Sequence, residues 1–393
     1  MYQRLCYLGL FIIFTSCTYQ VKIKNEKKGK LSAKYQLVLG NEKKIWLDYE
    51  TASQPPYMQL IQEANGARTL SIRNPHNNGI NFYDYETGDC THKIVYAREG
   101  PDAILRLEGY YVKNMDSIYV YVPPYPGPEL ALTDSSGHVK ERISLIDNRD
   151  AKNPEWSRYY PQYFFNTVVP IIENRGKLFL TGLAPTSVVD SLIHKFYFTS
   201  CFDLKSKHVE FKHTYPEELY GSNANWNHYF FTQVYPALLP TGEWLYSFPV
   251  SHNVYLAKND EEGYKKIYAG SNEAGTICSY DFEGPGTYES VLAHLLQHDL
   301  YTAIIHDPFR EVFYRFMLKR FPSGTTLNER PVVIIIMDEQ FNYMGETVIG
   351  TCEEWNWENA FVTSEGLVIE YIDRDLDSEE EYLILKTLTI EKL

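Results

Sequence analysis

The sequence predicts an all-β fold: a six-bladed β-propeller of four-stranded antiparallel blades, its ring closed by an N-terminal strand. Three observations predict it. First, residues 57–98 hold four short β-runs (57–62, 68–73, 80–85 and 92–97), parted by Glu63-Ala-Asn-Gly66, Asn74-Pro-His-Asn-Asn-Gly79 and Glu86-Thr-Gly-Asp89. Leu70 and Ile72 alternate with Thr69 and Ser71, the period of a sheet with two distinct faces. Second, comparable sets of runs recur to the end of the chain, with an acidic turn between third and fourth strands at Asp84, Asp134, Asp203, Asp260 and Asp338. Small sheets of this kind cannot bury their apolar faces alone and must stack on copies of themselves. Third, the last unit is one strand short, while a spare run lies at 44–48 near the N-terminus. Pairing the two removes the final open edge.

Composition agrees. The 33 tyrosines and 20 phenylalanines suit pleated, half-buried surfaces. Net charge is −14, yet residues 1–34 hold seven basic groups and one acid, so the remainder carries thirty basic against fifty acidic groups. A body so acidic repels phosphate backbones, which excludes nucleic acid as the expected partner.

In chain order, residues 1–17 read as an export signal. Arg4 precedes the apolar run 8–14, too short to span a bilayer, and Thr15-Ser16 precede Cys17. The layout resembles a bacterial lipoprotein signal, which implies cleavage before Cys17 and lipid attachment to its thiol. The implied partner is a membrane, held through that lipid, and the implied place is the bacterial cell envelope, as an outer-membrane lipoprotein facing periplasm or surface. Residues 18–34 carry Lys22, Lys24, Lys27, Lys28, Lys30 and Lys34 and are expected to be a flexible tether drawn to anionic head groups. The propeller then occupies 35–393, beginning with runs at 35–39 and 44–48.

Blade two draws on 106–112, 116–122, 129–133 and 139–146, and blade three on 168–173, 177–181, 195–202 and 208–213. Blade four uses 232–238, 243–248, 253–257 and 264–269; blade five 300–305, 311–316, 331–337 and 343–349. The last blade has only 359–363, 367–372 and 382–391. One helix is predicted, over 288–296, and His306-Asp307-Pro308 reads as a turn. Cys90, Cys201, Cys278 and Cys352 are widely spaced, form no CxxC pair and read as isolated buried thiols in separate blades, with disulfide pairing, open to an exported protein, as the alternative.

The layout resembles six-bladed propeller lipoproteins of Bacteroidota, and within them a family known as domain of unknown function 4221, with a TolB-like propeller. The resemblance rests on Phe82-Tyr-Asp-Tyr-Glu-Thr-Gly88, Gly100-Pro-Asp102, Asp116-Ser-Ile-Tyr119 and Ile305-His-Asp-Pro-Phe-Arg-Glu-Val-Phe-Tyr-Arg315. It brings no activity and no catalytic residues.

The loops leading into first strands share a face with the loops joining second and third strands, which is the usual ligand side of a propeller. Three of these approach loops join Trp to polar neighbours: 154–160, 223–229 and 353–359. They nominate Trp156, Tyr159, Tyr160, Trp226, His228, Trp355 and Trp357 as ligand-binding residues, for a glycan, a peptide or an envelope protein. The competing expectation is that these tryptophans pack between blades. GxSxG, HExxH, P-loop and GxGxxG motifs are absent, as is zinc-site spacing. The acidic loop 373–381 places Ser378 and Ile384 where a calcium loop needs Gly and Glu. No metal and no cofactor are therefore expected. The leading reading is a non-enzymatic binding module; the alternative is a glycoside hydrolase or lyase using carboxylates at the central channel.

Overall fold

The computed structural model describes residues 20–393 apart from 64, 124–126, 147–149, 151, 154, 223, 258–262, 282–285 and 374–381. Cys17, Asp260 and most of the acidic loop lie outside the described residues.

Six four-stranded antiparallel sheets form the ring. Blade 1 is Met58–Gln62, Arg68–Asn74, Gly79–Asp84 and Cys90–Val95; blade 2 is Gly109–Asn114, Ser117–Val122, Glu129–Thr133 and Val139–Ser144. Blade 3 is Ile172–Asn174, Lys177–Thr181, Tyr197–Asp203 and Val209–Thr214; blade 4 is Tyr235–Leu238, Trp244–Ser247, Asn253–Ala257 and Lys265–Tyr268. Blade 5 is Leu300–Asp307, Val312–Leu318, Pro331–Asp338 and Tyr343–Thr351. Blade 6 is Trp355–Val362, Leu367–Tyr371 and Tyr382–Lys392, completed by the N-terminal strand Tyr35–Trp46.

That closing strand pairs from Tyr35 opposite Lys392 to Trp46 opposite Tyr382, with an irregularity between Leu39 and Glu42. The two runs read separately in the sequence are thus one strand, interrupted at Gly40-Asn41 by a bulge. Ile45 and Leu47 enter a core cluster with Leu383, Leu385, Val368 and Tyr83, so the closure is apolar as well as hydrogen-bonded.

The recurring acidic turn has a common physical cause. The Asp84 carboxylate accepts from the amides of Glu86 and Thr87, Asp203 from Lys205 and Ser206, Asp134 from Ser136 and His138, and Asp338 from Gln340 and Asn342. Each carboxylate supplies acceptors that the tight turn's own carbonyls cannot. These amides hold Asp84 and Asp203 below the usual carboxylate range.

The core lies between blades. Phe198, Tyr215, Tyr220, Trp226, Trp244, Tyr246, Phe248 and Tyr255 form its largest aromatic region, joining blades 3 and 4. A ten-residue helix, Tyr288–Gln297, the longest among the described residues, sits in the connection from blade 4 to blade 5 and is capped by Thr287. No helix among the described residues is long and apolar enough to cross a membrane. Cys90, Cys201, Cys278 and Cys352 are free thiols, but of the four expected to be buried only Cys201 is; Cys278 and Cys352 are half-buried and Cys90, on the outermost strand of blade 1, is exposed.

Residues 20–34, expected to be a flexible tether, are fixed along blades 4 and 5. Lys22–Ile23 pairs antiparallel with Ile277–Cys278. Asn25 donates to the Ser271 and Ala274 carbonyls, and Lys34 N donates to Met344 O. Val21 and Ile23 pack on the core while Lys22 and Lys24, alternating with them, face water. Two apolar residues are too short a period to stand out among lysines, so the sequence shows only the charge.

Candidate functional site

The segment that leads into blade 3 occupies the mouth of the ring. Thr167 Oγ1 accepts from Met58 N of blade 1 (2.9 Å) and donates to Asn359 Oδ1 of blade 6 (2.5 Å). Val168 N donates across the ring to Glu358 O (3.2 Å). Val168 and Val169 pack with Tyr235, Ala303, Trp355 and Ala360, drawn from blades 4, 5 and 6. The centre is therefore filled by a turn rather than open.

Beside this plug, the inner strand of blade 6 is irregular. Its pairing with Leu367–Tyr371 breaks between Asn356 and Ala360, so Trp357, Glu358 and Asn359 have no ladder partners. A bulge re-aims side chains. Here it sends Asn359 inward to Pro55 O and Glu370, while Trp357 and Glu358 turn towards a cleft of about 390 Å³ between blades 5 and 6. The floor is aliphatic, from Leu295, Leu300, Leu318 and Leu327, and the walls are Phe230, Trp355 and Trp357. Asn328, Asn356 and Gln54 supply polar edges.

Two charged groups border the cleft. Arg330 is buried, and its guanidinium donates to the carbonyls of Lys319, His298 and Leu318. Burial pushes it down to about 10. Glu358 is open to water yet crowded by protein, as expected in a narrow mouth, and that crowding raises its carboxyl above the usual range. Cys352, behind Trp357, is pushed up to about 12 by burial and is inert as a nucleophile at neutral pH.

The nominated residues separate into three groups. Trp355 and Trp357 line the cleft; Trp355 is buried against Tyr371, and Trp357 stands edge-on to Tyr235 at 6.0 Å. His228 is adjacent: its ring stacks on Phe230 at 4.8 Å and accepts from the Phe230 amide, holding the short helix Tyr229–Thr232 that places Phe230 in the wall. The others lie elsewhere. Trp226 is fully buried, with Nε1 donating to Leu219 O, so the packing expectation holds for it. Trp156 sits half-buried in a single turn, Trp156–Arg158, over blade 3, where Tyr160 packs on Phe211 at 5.2 Å and Tyr159 is exposed. The sequence reading missed Phe230, Arg330 and Glu358, and also the exposed, stacked pair Phe164 and Tyr229 (5.9 Å).

A larger groove of about 780 Å³ lies on the flank between the outer strands of blades 3 and 4. Its charges pair with one another, Lys266 with Glu218 (3.3 Å) and His194 with Glu217 (3.4 Å), and it is remote from the mouth. The blade 5–6 cleft is the better candidate. Among the described residues no group of three or more His, Cys, Asp or Glu is placed to hold a metal ion.

A family model described as a domain of unknown function, DUF4221, matches residues 34–348. The chain belongs to this family. The match begins just before the closing strand and ends in the outermost strand of blade 5, so the three C-terminal strands of blade 6 in this DUF4221 protein, with the bulge, lie beyond it. A crystal structure of a DUF4221 member from Bacteroides vulgatus is similar at 17% identity and a TM-score of 0.75, covering 92% of this chain and 99% of that one. A candidate exported protein from Bacteroides fragilis is similar at 12% identity and a TM-score of 0.53, covering 91% and 96%. Both likenesses concern the fold. Comparison with curated proteins found no match.

Glu370, on the second strand of blade 6, is the buried carboxylate of this DUF4221 ring beside the bulge. Asn356 Nδ2 (2.7 Å) and Asn359 Nδ2 (2.6 Å) both donate to its Oε2. Burial raises its carboxyl to about 7, partly offset by those amides. A raised acid binds more protons folded than unfolded, so its contribution is full below about pH 4.5 and is lost as pH rises through about 7. Glu370→Gln keeps an acceptor for both amides without the buried charge. The variant is expected to match wild type at about pH 4 and exceed it by about 1–3 kcal/mol at pH 8 in urea melts. A variant less stable than wild type at pH 8 would refute this assignment.

Proposed function

We propose that this protein is a lipid-anchored propeller of the cell envelope that binds a peptide segment of a partner protein, seating one apolar or aromatic side chain in the blade 5–6 cleft. The observation that carries this reading is the lining: an aliphatic floor under Phe230, Trp355 and Trp357, with amides of Asn328, Asn356 and Gln54 at the rim. Such a site removes apolar surface from water and leaves a few polar groups to fix a backbone. A sugar ring prefers an open aromatic platform among many polar groups, whereas four leucines join the three aromatic side chains in lining this cleft.

The hydrolase alternative needs two reachable carboxylates flanking one bond. Glu358 borders the cleft, whereas Glu370 is buried and tied to two asparagines, which argues for binding over catalysis. The envelope placement is supported by the signal-like stretch ending at Cys17 and by the similarity of fold to a candidate exported protein.

The test is a peptide panel displaying single Trp, Phe, Leu or Ile side chains, measured by calorimetry against wild type and Trp357→Ala. The expected result is selective binding that weakens at least about tenfold in the variant. Binding of glycans but not peptides, or equal binding by Trp357→Ala, would overturn the reading.

A further inference from the structure

We propose that the edge of the mouth face at blades 4 and 5 rests on an anionic lipid bilayer, so that the binding cleft opens beside the membrane surface. The inference builds on the anchored reading above and adds an orientation to it. Gln20 Nε2 donates to Ser279 O, Val21 N to Ser279 Oγ, and Ser279 N to Val21 O. Ser279 belongs to the connection from blade 4 to blade 5, whose next residue, Tyr280, donates to Asn225 O in the loop leading into blade 4. All these groups lie on the mouth face. Cys17 is three residues before Gln20, a reach of about 10 Å even when extended. A lipid there holds this edge close to the bilayer.

Charge points the same way, independently of the anchor. Lys22 and Lys24 are exposed on the strand beside Ile277–Cys278. Lys27, Lys28 and Lys30 are exposed in the turn fixed by the Gly29 N to Asn272 O bond and by Leu31 N donating to Asn272 Oδ1. Asn272 lies four residues past the outermost strand of blade 4, so five lysines share this edge, against Glu26 in the same stretch and the exposed Glu273, Asp281 and Glu289 of the neighbouring connection. The rest of the chain is strongly acidic. Each lysine near an anionic surface attracts it, and the acidic remainder is repelled, which orients the ring. Tyr288, 76% exposed at the start of the helix in the same connection, offers an aromatic ring at head-group depth.

The test uses the full acylated chain, footprinted at lysine and tyrosine on phosphatidylglycerol–phosphatidylethanolamine vesicles and in detergent. Lys22, Lys24, Lys28 and Tyr288 are expected to lose at least threefold in reactivity on vesicles. Lys205 and Lys207, in the turn on the opposite face, are expected to be unchanged. The full chain carrying Cys17→Ala is expected to sediment with phosphatidylglycerol vesicles and not with phosphatidylcholine. Protection of Lys205 and Lys207, unchanged strap lysines, a Cys17 without acyl groups, or equal sedimentation with both lipids would each overturn the proposal. Peptide binding by the Cys17→Ala chain in solution is unaffected by any of these outcomes, so the two readings fail separately.

Discussion

Replacing Arg315 with methionine is expected to lower folding stability by about 3–5 kcal/mol. The guanidinium of Arg315 is wholly buried between blades 4 and 5 and is pushed down to about 10 by that burial. Its Nε donates to Ser247 Oγ (3.0 Å), Nη1 to Ala269 O (3.1 Å), and Nη2 to Ser251 O (2.8 Å) and Asn253 O (3.2 Å). The Tyr301 ring lies 4.0 Å from its charge. Methionine fills much of the volume but leaves one hydroxyl and three carbonyls without this donor, each a desolvation cost of about 1–3 kcal/mol in the worst case. Partial relaxation brings the total into the stated range. Urea unfolding read by tyrosine and tryptophan fluorescence measures it, and a loss below about 1 kcal/mol would show that the arginine is a passenger.

Gly345→Ala is expected to destabilise by about 2–3 kcal/mol through the ring closure rather than through its own strand. A Cβ at position 345 would lie 1.9 Å from Tyr35 O and 2.9 Å from Tyr35 C. These are backbone atoms at the start of the closing strand and cannot swing aside. Leu37 N, two residues on, donates to Thr347 Oγ1, so the same displacement strips a second contact between blades 5 and 6. The expected signature is twofold: a lower melting midpoint, and faster proteolysis within residues 20–34 than in wild type. Cleavage confined to other loops would place the strain elsewhere.

Much of this architecture was legible because it repeats. Turn aspartates at Asp84, Asp134, Asp203 and Asp338 mark third-to-fourth strand turns by a local mechanism, and local mechanisms leave local signals. The missing strand of blade 6 was visible as a deficit, and the run at 44–48 as its remedy. What stayed hidden depends on contacts far apart in the chain. Nothing in Asn166-Thr-Val-Val169 announces that it will fill the mouth and bond to blades 1 and 6. Trp226 and Trp357 stand in near-identical company in the sequence, Asn-Trp-Asn and Asn-Trp-Glu, yet one is core and the other lines the cleft. The difference is the unpaired stretch at 357–359, a bulge set by the register of the neighbouring strand. Gly345 is required by a backbone arriving from 310 residues away, which no local pattern encodes.

Peptide binding in the cleft between blades 5 and 6 is tested most directly by a crystal structure of the protein bound to the tightest peptide from the panel. The expected result is an apolar side chain seated over Leu295 and Leu300 between Phe230 and Trp357, with its backbone bonded to Asn356 or Asn328. A peptide bound instead in the flank groove beside Lys212 and Lys266, with the cleft unchanged, would contradict it.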